Sequence, residues 1–380
     1  MKGSAMTTNR ELLQRTEAMI EVPMKITFLF LLFVAAAYYA NARAQRVVGG
    51  VYEVCIGTRD AAPLVAYWER FGYRVGEQGA LDAEQARKLY GVASAVRSIR
   101  LYHQEADHGL IRLMVWERPV GEGLGMAGMK TLGNRWGAML TTDIFNILNH
   151  AEEAAARGMP ILYVEPQRAE IYRVEQRPRP FLDELPCVRE MLLIQPLTRQ
   201  VIFQRFGYTL PLYGKVNEAA PFHTSQITHF GMVVQTRLEA LDFYDKVLGL
   251  LRVRDRVQSD ADDPSARRIF NLSSGESYVT TDFDDPRSSK DDPQRMRSGR
   301  LKIINFVSHA KLEDRRAQSR PGYLGYSLYT LRVSDIEAYH RRIRSSAATE
   351  VTEITLNEFG ERSFSFVAPD GYFWTLIEGR

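Results

Sequence analysis

Cysteine is scarce in this 380-residue chain, which has only Cys55 and Cys187. That excludes a cysteine-built zinc module and a disulfide-stapled scaffold. Charge of one sign is also lacking. Lys and Arg number 49 against 46 Asp and Glu, a net charge of +3, and they are scattered along the chain, so no nucleic-acid partner is expected. There is no Gly-x-Ser-x-Gly elbow, phosphate loop, dinucleotide fingerprint or His-Glu-x-x-His zinc helix, which leaves hydrolase, kinase and dinucleotide-dependent dehydrogenase readings unsupported. What is present is ample apolar material: 45% hydrophobic residues, with 18 Tyr, 18 Phe and 4 Trp. That is enough to fill the cores of two or three domains.

The N-terminus departs from this average. Lys25 is followed by an uncharged, mostly apolar run, Ile26 to Ala40, and then by Ala42-Arg43-Ala44. This is the order of a secretory signal peptide, with cleavage after Ala44. The run falls short of the ~20 residues that span a bilayer comfortably. The 23 residues before Met24 are polar and do not fit the scheme; an over-called start, an uncleaved anchor and a buried helix stand as alternatives. The expected location is therefore periplasmic or secreted, with membrane contact only through this segment. Export would place both cysteines in an oxidising compartment, yet a strand-buried free thiol suits Cys55 as well as a bridge does.

Beyond Gln45 a weak repeat governs the fold. Val51 to Asp60 is a β-type run, followed by a helical run ending Tyr67-Trp-Glu-Arg-Phe-Gly-Tyr-Arg-Val75. Ile227 to Val234, then Leu238 to Gly249, repeat the arrangement, and Leu251-Arg-Val253 restarts a strand. In each, a glycine (Gly72, Gly249) supplies the left-handed conformation that ends the helix. Fainter copies start at Trp136–Asp143, leading into a helix over Ile144–Gly158, and at Tyr326–Asp335, leading into one over Ile336–Ile343. The β-rich ends of the units are expected at 109–116, 191–206, 271–283 and 363–377. Four β-α-β-β-β units thus fill 48–380, two per domain: 48–208 and 226–380, joined by 209–225, with a solvated polar loop over 282–300.

His229-Phe-Gly-Met-Val-Val, Phe243-Tyr-Asp-Lys-Val-Leu-Gly-Leu250 and Ala368-Pro-Asp-Gly-Tyr372 together resemble the vicinal oxygen chelate superfamily, which includes glyoxalase I, bleomycin-resistance proteins and extradiol dioxygenases. The resemblance is strong over 226–380 and fainter over 50–208. It implies an α+β fold of two glyoxalase-like cupped-sheet domains, each built of two βαβββ modules and each cup holding a small organic molecule. It also implies a divalent metal (Fe, Mn or Zn) held by ligands from the first and last strands of paired units, acting as a Lewis acid toward a chelating substrate.

Carried over residue by residue, the ligand pattern is mostly lost. His229 occupies the first-strand position of unit three. The matching position in unit four is read as Leu328, and the closing-strand carboxylate position as Thr375; Glu378 lies three residues further on, an odd shift that turns it to the opposite face of a strand. In the N-terminal half the corresponding residues are read as Glu53, Trp136 and Arg112. His229 is the one candidate ligand, with a pocket hydrogen-bonding group and a core histidine as its other readings. The candidate catalytic group is His229, Tyr329 and Thr375, and Tyr278, Leu328 and Glu378 are candidate pocket residues. The C-terminal cup is expected to carry the chemistry, with Glu53→Ala silent.

Tyr102–His108, with two histidines and two carboxylates, reads as a solvated hairpin tip. His150 and His340 read as surface positions, and His309 could face either way. Three function classes follow. The first is an exported lyase, isomerase or dioxygenase acting on a small oxygenated, for instance aromatic, molecule around an eroded metal site. The second is a metal-free binder that sequesters such a molecule without turnover. The third is a partner-binding descendant with filled cups. Four units in one chain can complete two cups without a second copy.

Overall fold

The computed structural model describes residues 47–104, 107–170, 186–306 and 311–379. The signal-like segment and His309 lie outside the described residues. Unit one runs β1 (Glu53–Thr58), α1 (Ala62–Arg70), β2 (Tyr73–Leu81), α2 (Ala83–Tyr90), β3 (Val96–His103) and β4 (Leu110–Trp116). Unit two is β5 (Arg135–Thr141), α3 (Ile144–Ala156), β6 (Leu162–Glu170), β7 (Cys187–Ile194) and β8 (Arg199–Phe206). Unit three comprises β9 (Thr224–Val234), β10 (Leu251–Ser259), α4 (Pro264–Ile269), β11 (Ser277–Asp284) and β12 (Arg300–Asn305). Unit four closes the chain with β13 (Gly325–Val333), α5 (Ile336–Arg344), β14 (Thr355–Leu356), β15 (Arg362–Val367) and β16 (Phe373–Glu378).

Local chemistry explains the helices. Asp143 and Asp335 accept hydrogen bonds from the Asn146 and Ala338 N–H groups, and Asp82 forms a reciprocal box with Gln85. Each cap satisfies donors that the first helical turn leaves open. Ile144, Ile147, Ala151 and Ala154 form the inward stripe of α3, as Ile336, Tyr339 and Ile343 do for α5. Unit three departs from expectation: Leu238–Gly249 is a 3₁₀ turn (Leu238–Leu241) and a π turn (Phe243–Val247), not an α-helix. Phe243 and Tyr244, adjacent in sequence, are both buried, and the Tyr244 hydroxyl donates to Asp370 at 2.6 Å. A regular α-helix sends neighbouring side chains about 100° apart; the wider turn brings both inward.

The strands form two eight-stranded curled sheets, ordered β14-β15-β16-β13-β1-β4-β3-β2 and β10-β11-β12-β9-β5-β8-β7-β6. The four-unit, two-cup architecture therefore stands, but the expected pairing of sequence neighbours is corrected. Unit one shares a sheet with unit four, and unit two with unit three. At each seam the first strands of the two units run antiparallel, β1 on β13 and β5 on β9. Alternation then sorts the side chains. Val54 and Ile56 of the first sheet join Phe230 and Met232 of the second, with Tyr329 and Trp374, in one core between the sheets. The alternate positions face the two cups.

The polar stretch over 282–300 is less solvated than expected. Asp282 and Asp284 end β11, and with Asp285 they are buried. Arg300 binds Asp282 and Asp284, Arg254 binds Asp282, and Arg287 binds Asp285. The carboxylates are neutralised in place, so their charge does not force them into water.

Candidate functional site

The first cup, from units one and four, is filled with charge. Glu53 on β1 is fully buried. It accepts hydrogen bonds from Arg100 on β3, Arg112 on β4 and, at 3.1 Å, the Thr330 hydroxyl across the seam. Arg112 also donates to the Tyr90 hydroxyl at 3.0 Å and to Glu358 at 3.3 Å, while Glu358 accepts from Tyr90 and Ser98 at 2.8 and 2.7 Å. Arg100 reaches Glu361 at 2.8 Å and Glu77 at the rim. Phe359 covers both guanidiniums, 4.0 Å from Arg100 and 5.1 Å from Arg112. Burial opposes ionisation of Glu53, but the Arg100 and Arg112 charges outweigh it and hold the carboxyl at about 2.

The second cup, from units two and three, is filled largely with rings. Trp136 of β5 pairs with Gly231 of β9, and its indole lies where a Cβ on residue 231 would stand, 1.8 Å from that point. Only glycine admits the ring there. Phe270, which follows α4, stacks edge-on against Trp136 at 5.7 Å. Beside these rings a cleft of about 30 Å³ remains, lined by His229, Lys302, Glu190, Asp263 and Tyr278. Burial, then the Lys302 and Arg300 charges, drives the His229 imidazole well below its ordinary value, so it is neutral at neutral pH. Its Nδ1 lies 3.3 Å from the Thr228 hydroxyl. Glu190 moves the other way: burial raises it, although Lys302 opposes the shift. Lys302 pairs across strands with Asp282, whose Oδ1 is buried without a hydrogen-bond partner.

The expected site residues are not gathered in one place. His229 and Tyr278 meet in the second cup. Thr375 faces the first cup, 2.8 Å from the Ser365 hydroxyl. Leu328 is also on the first cup's face, in an apolar cluster with Cys55, Trp116 and Phe373. Tyr329 points into the core between the sheets and donates to the Gly231 and Trp136 carbonyls at 2.7 and 3.1 Å. It is a structural tie between the sheets; one strand position of register removes it from either cup. Glu378 binds Arg362 at 3.2 Å on the side of β16 opposite Thr375, as the odd shift required. The register also corrects the pairings read from sequence, His229 with Leu328 and Glu53 with Trp136: Glu53 lies opposite Thr330 of unit four, and His229 opposite Ala138 of unit two.

Both cysteines are free and buried. The histidines of the β3–β4 hairpin are buried rather than solvated: His103 bonds the Thr224 carbonyl at 3.1 Å and His108 the Ser298 hydroxyl at 2.5 Å. His150 and His340 are half-buried, bonding the Asn146 and Thr352 carbonyls at 2.9 Å each. Sequence reasoning missed Arg100, Glu358, Glu361, Glu190 and Lys302. A signal existed for two of them. Arg100 and Lys302 alternate with Ile99/Leu101 and Leu301/Ile303, the pattern of a charge on the far side of a buried strand.

The residues at the superfamily's ligand positions do not fit a divalent metal. In the first cup they are Glu53, Arg112, Thr330 and Thr375, and Arg112 already neutralises the one carboxylate. In the second, His229 stands with Ala138, Val201 and Lys302, and an ammonium beside the imidazole repels a metal ion. Among the described residues no group of three or more His, Cys, Asp or Glu is placed to hold a metal ion.

Two cupped sheets, each made from one unit of either half of the chain, define a glyoxalase-like α+β protein. Residues 226–376 match the model of the Glyoxalase/Bleomycin resistance protein/Dioxygenase superfamily. A putative dioxygenase from Bacillus subtilis is similar in fold: 10% identity, TM-score 0.50, covering 88% of this chain and 86% of that one. Glyoxalase I from Zea mays matches at 13% identity and TM-score 0.49, covering 87% and 92%. A glyoxalase family protein from Enterococcus faecalis matches 40% of this chain and 96% of its own at 17% identity and TM-score 0.27. No curated protein sequence matches.

Proposed function

We propose that this is an exported vicinal-oxygen-chelate-type protein with an eroded metal site, which holds a small oxygenated molecule in the cup of units two and three. The observation that carries this reading is the neutral His229 imidazole sharing an apolar-walled cleft with Lys302 and Glu190. A few convergent polar groups among aromatic walls suit a small ligand, and the cleft of about 30 Å³ admits one only when Trp136 and Phe270 turn aside. Lys302 supplies a charge for an enolate, phenolate or carboxylate oxygen, and His229 a hydrogen-bond acceptor. The first cup spends its polar groups on one another. A thermal-shift screen over catechols, 2-oxo acids and 2-hydroxy acids tests the reading. Stabilisation that both His229→Ala and Lys302→Met remove supports it; stabilisation that survives both overturns it.

Turnover is the second reading, and one observation favours it. Burial pushes His229 toward the unprotonated form and Glu190 toward the protonated form, the assignment that a base and an acid need. A metal-free isomerase or lyase could use them, with proton transfer worth ~10²–10⁴ in rate. A bound molecule recovered unchanged after prolonged incubation rejects this second reading and leaves the first. Export rests on Lys25, Ile26–Ala40 and Ala42–Ala44. N-terminal sequencing of protein from the host envelope should begin at Gln45 or close to it, and an intact Met1 in cytoplasmic protein would refute it.

A further inference from the structure

A second cleft, of about 180 Å³, shares no lining residue with the cleft beside His229 and lies between the β3–β4 hairpin of unit one, the linker around Leu212–Lys215 and the end of the polar loop at Ser298. Its hydrogen bonds run in one direction. The Gln226 amide oxygen accepts from the Lys215 N–H at 3.3 Å, which leaves the amide nitrogen to donate to the Ser298 hydroxyl oxygen at 3.2 Å. Ser298 in turn lies 2.5 Å from His108 Nε2. The other ring nitrogen, Nδ1, bonds Asp107, whose second oxygen accepts from Arg287 at 3.1 Å. The hydrogen bond from His108, with Arg287, holds the Asp107 carboxyl well below the usual range. As a carboxylate it can only accept, so Nδ1 carries the proton and Nε2 is free to receive the one on Ser298. Lys215 adds a positive charge to the lining.

We propose that Ser298, His108 and Asp107 form a nucleophilic relay, a site separate from both cups that takes short acyl esters. Roles and geometry define such a relay, not order in the chain. Ser298 Oγ forms a bond to the ester carbonyl carbon while its proton passes to His108 Nε2. The bond to the leaving oxygen breaks, that oxygen takes the proton from His108, and an acyl-Ser298 remains. Water then adds to the acyl carbon, giving one proton to His108; the bond to Ser298 breaks and Oγ recovers that proton. Asp107 holds the ring so that Nε2 faces Ser298.

The test uses the full chain, a biotinylated fluorophosphonate and peptide mapping. One label per chain, on Ser298, is expected. Ser298→Ala should abolish it, and His108→Gln should slow it by ~100-fold or more, with p-nitrophenyl acetate hydrolysis falling in parallel. Absence of label, label on another residue of the wild-type chain, or an unchanged rate in His108→Gln would each overturn the proposal. Mapping on the wild-type chain decides even if Ser298→Ala fails to fold.

Discussion

At the seam of the first cup the opening strand of unit one presents Glu53; at the seam of the second, the opening strand of unit three presents His229. The match extends to their neighbours. Arg112 lies two residues beyond the register partner of Glu53, and Lys302 lies two residues beyond that of His229. A carboxylate beside a guanidinium neutralises itself, draws in Arg100 and Glu358, and closes the cup. An imidazole beside an ammonium stays neutral and does not pair with it, and the Lys302 charge acts instead on the carboxyl groups of Asp282 and Glu190. The same backbone therefore yields one cup sealed by ion pairs and one filled by rings, with a cleft of about 30 Å³ left beside His229 and Lys302.

The sharpest way to break this comparison is to remove Glu53. Glu53→Ala leaves Arg100 and Arg112 buried with a carboxylate missing, and stability should fall by ~3–5 kcal/mol in urea unfolding. From sequence alone this substitution reads as silent; the buried network reverses that reading. A cost near zero would mean that water or the rim carboxylates take over.

Acid should act on the same pair. The folded-state pKa of Glu53, about 2, lies below its ordinary 4.5. Its contribution is fully present above 4.5 and is lost as pH falls through about 2, on the order of 3 kcal/mol. Urea titrations at several pH values should show this component in the wild-type chain and not in Glu53→Gln.

Much of this fold is legible in the chain. Gly72 and Gly249 follow the first helical segments of units one and three with φ of 82° and 81°, Asp143 and Asp335 cap helices where the apolar stripes begin, and His229 and Tyr278 line one cleft. The partnering of units is not legible, because it rests on pairs such as Glu53 and Thr330, 277 residues apart, which no local pattern encodes. Tyr329 fails through strand parity. Arg112 fails differently: as a metal ligand it is merely wrong, and only the structure shows it bound to Glu53 in the ion's stead.

Gly231→Ala should cost less, ~1–3 kcal/mol, the usual range for overpacking. The added methyl meets Trp136 and no charge is stranded. Trp136 fluorescence should shift as the ring is displaced, with the first cup unaffected. His229→Ala should cost only about 1 kcal/mol, since the Thr228 hydroxyl keeps its bond to the Ala138 carbonyl at 3.0 Å, yet it should abolish ligand stabilisation. His229, neutral when folded, stabilises fully above its ordinary 6.5 and loses that contribution as pH falls below it. His229→Gln should reduce the slope of the stability profile between about pH 6.5 and 5 without removing it, because His103, pushed down to about 4 by burial, contributes there too; an unchanged slope would mean that His229 does not titrate there.

The smallest effect expected is that of metal. A site that bound Fe²⁺, Mn²⁺ or Zn²⁺ would stabilise the folded chain by about 2.7 kcal/mol when the ion is at a hundredfold excess over its dissociation constant, a shift of several degrees in Tm. Neither cup offers a ligand set to realise this: Arg112 neutralises Glu53, and Lys302 repels an ion from His229. Each ion should therefore move Tm by less than about 1 °C, well inside that expectation. Reversing the sign in the second cup sharpens the test. Lys302→Glu with Ala138→His removes the ammonium and places an imidazole and a carboxylate near His229 on adjacent strands, the type of set that binds zinc. Zinc should stabilise that double variant and leave the parent unmoved. A stoichiometric metal that survives dialysis of the parent would overturn the account of both cups and restore a chelating mechanism.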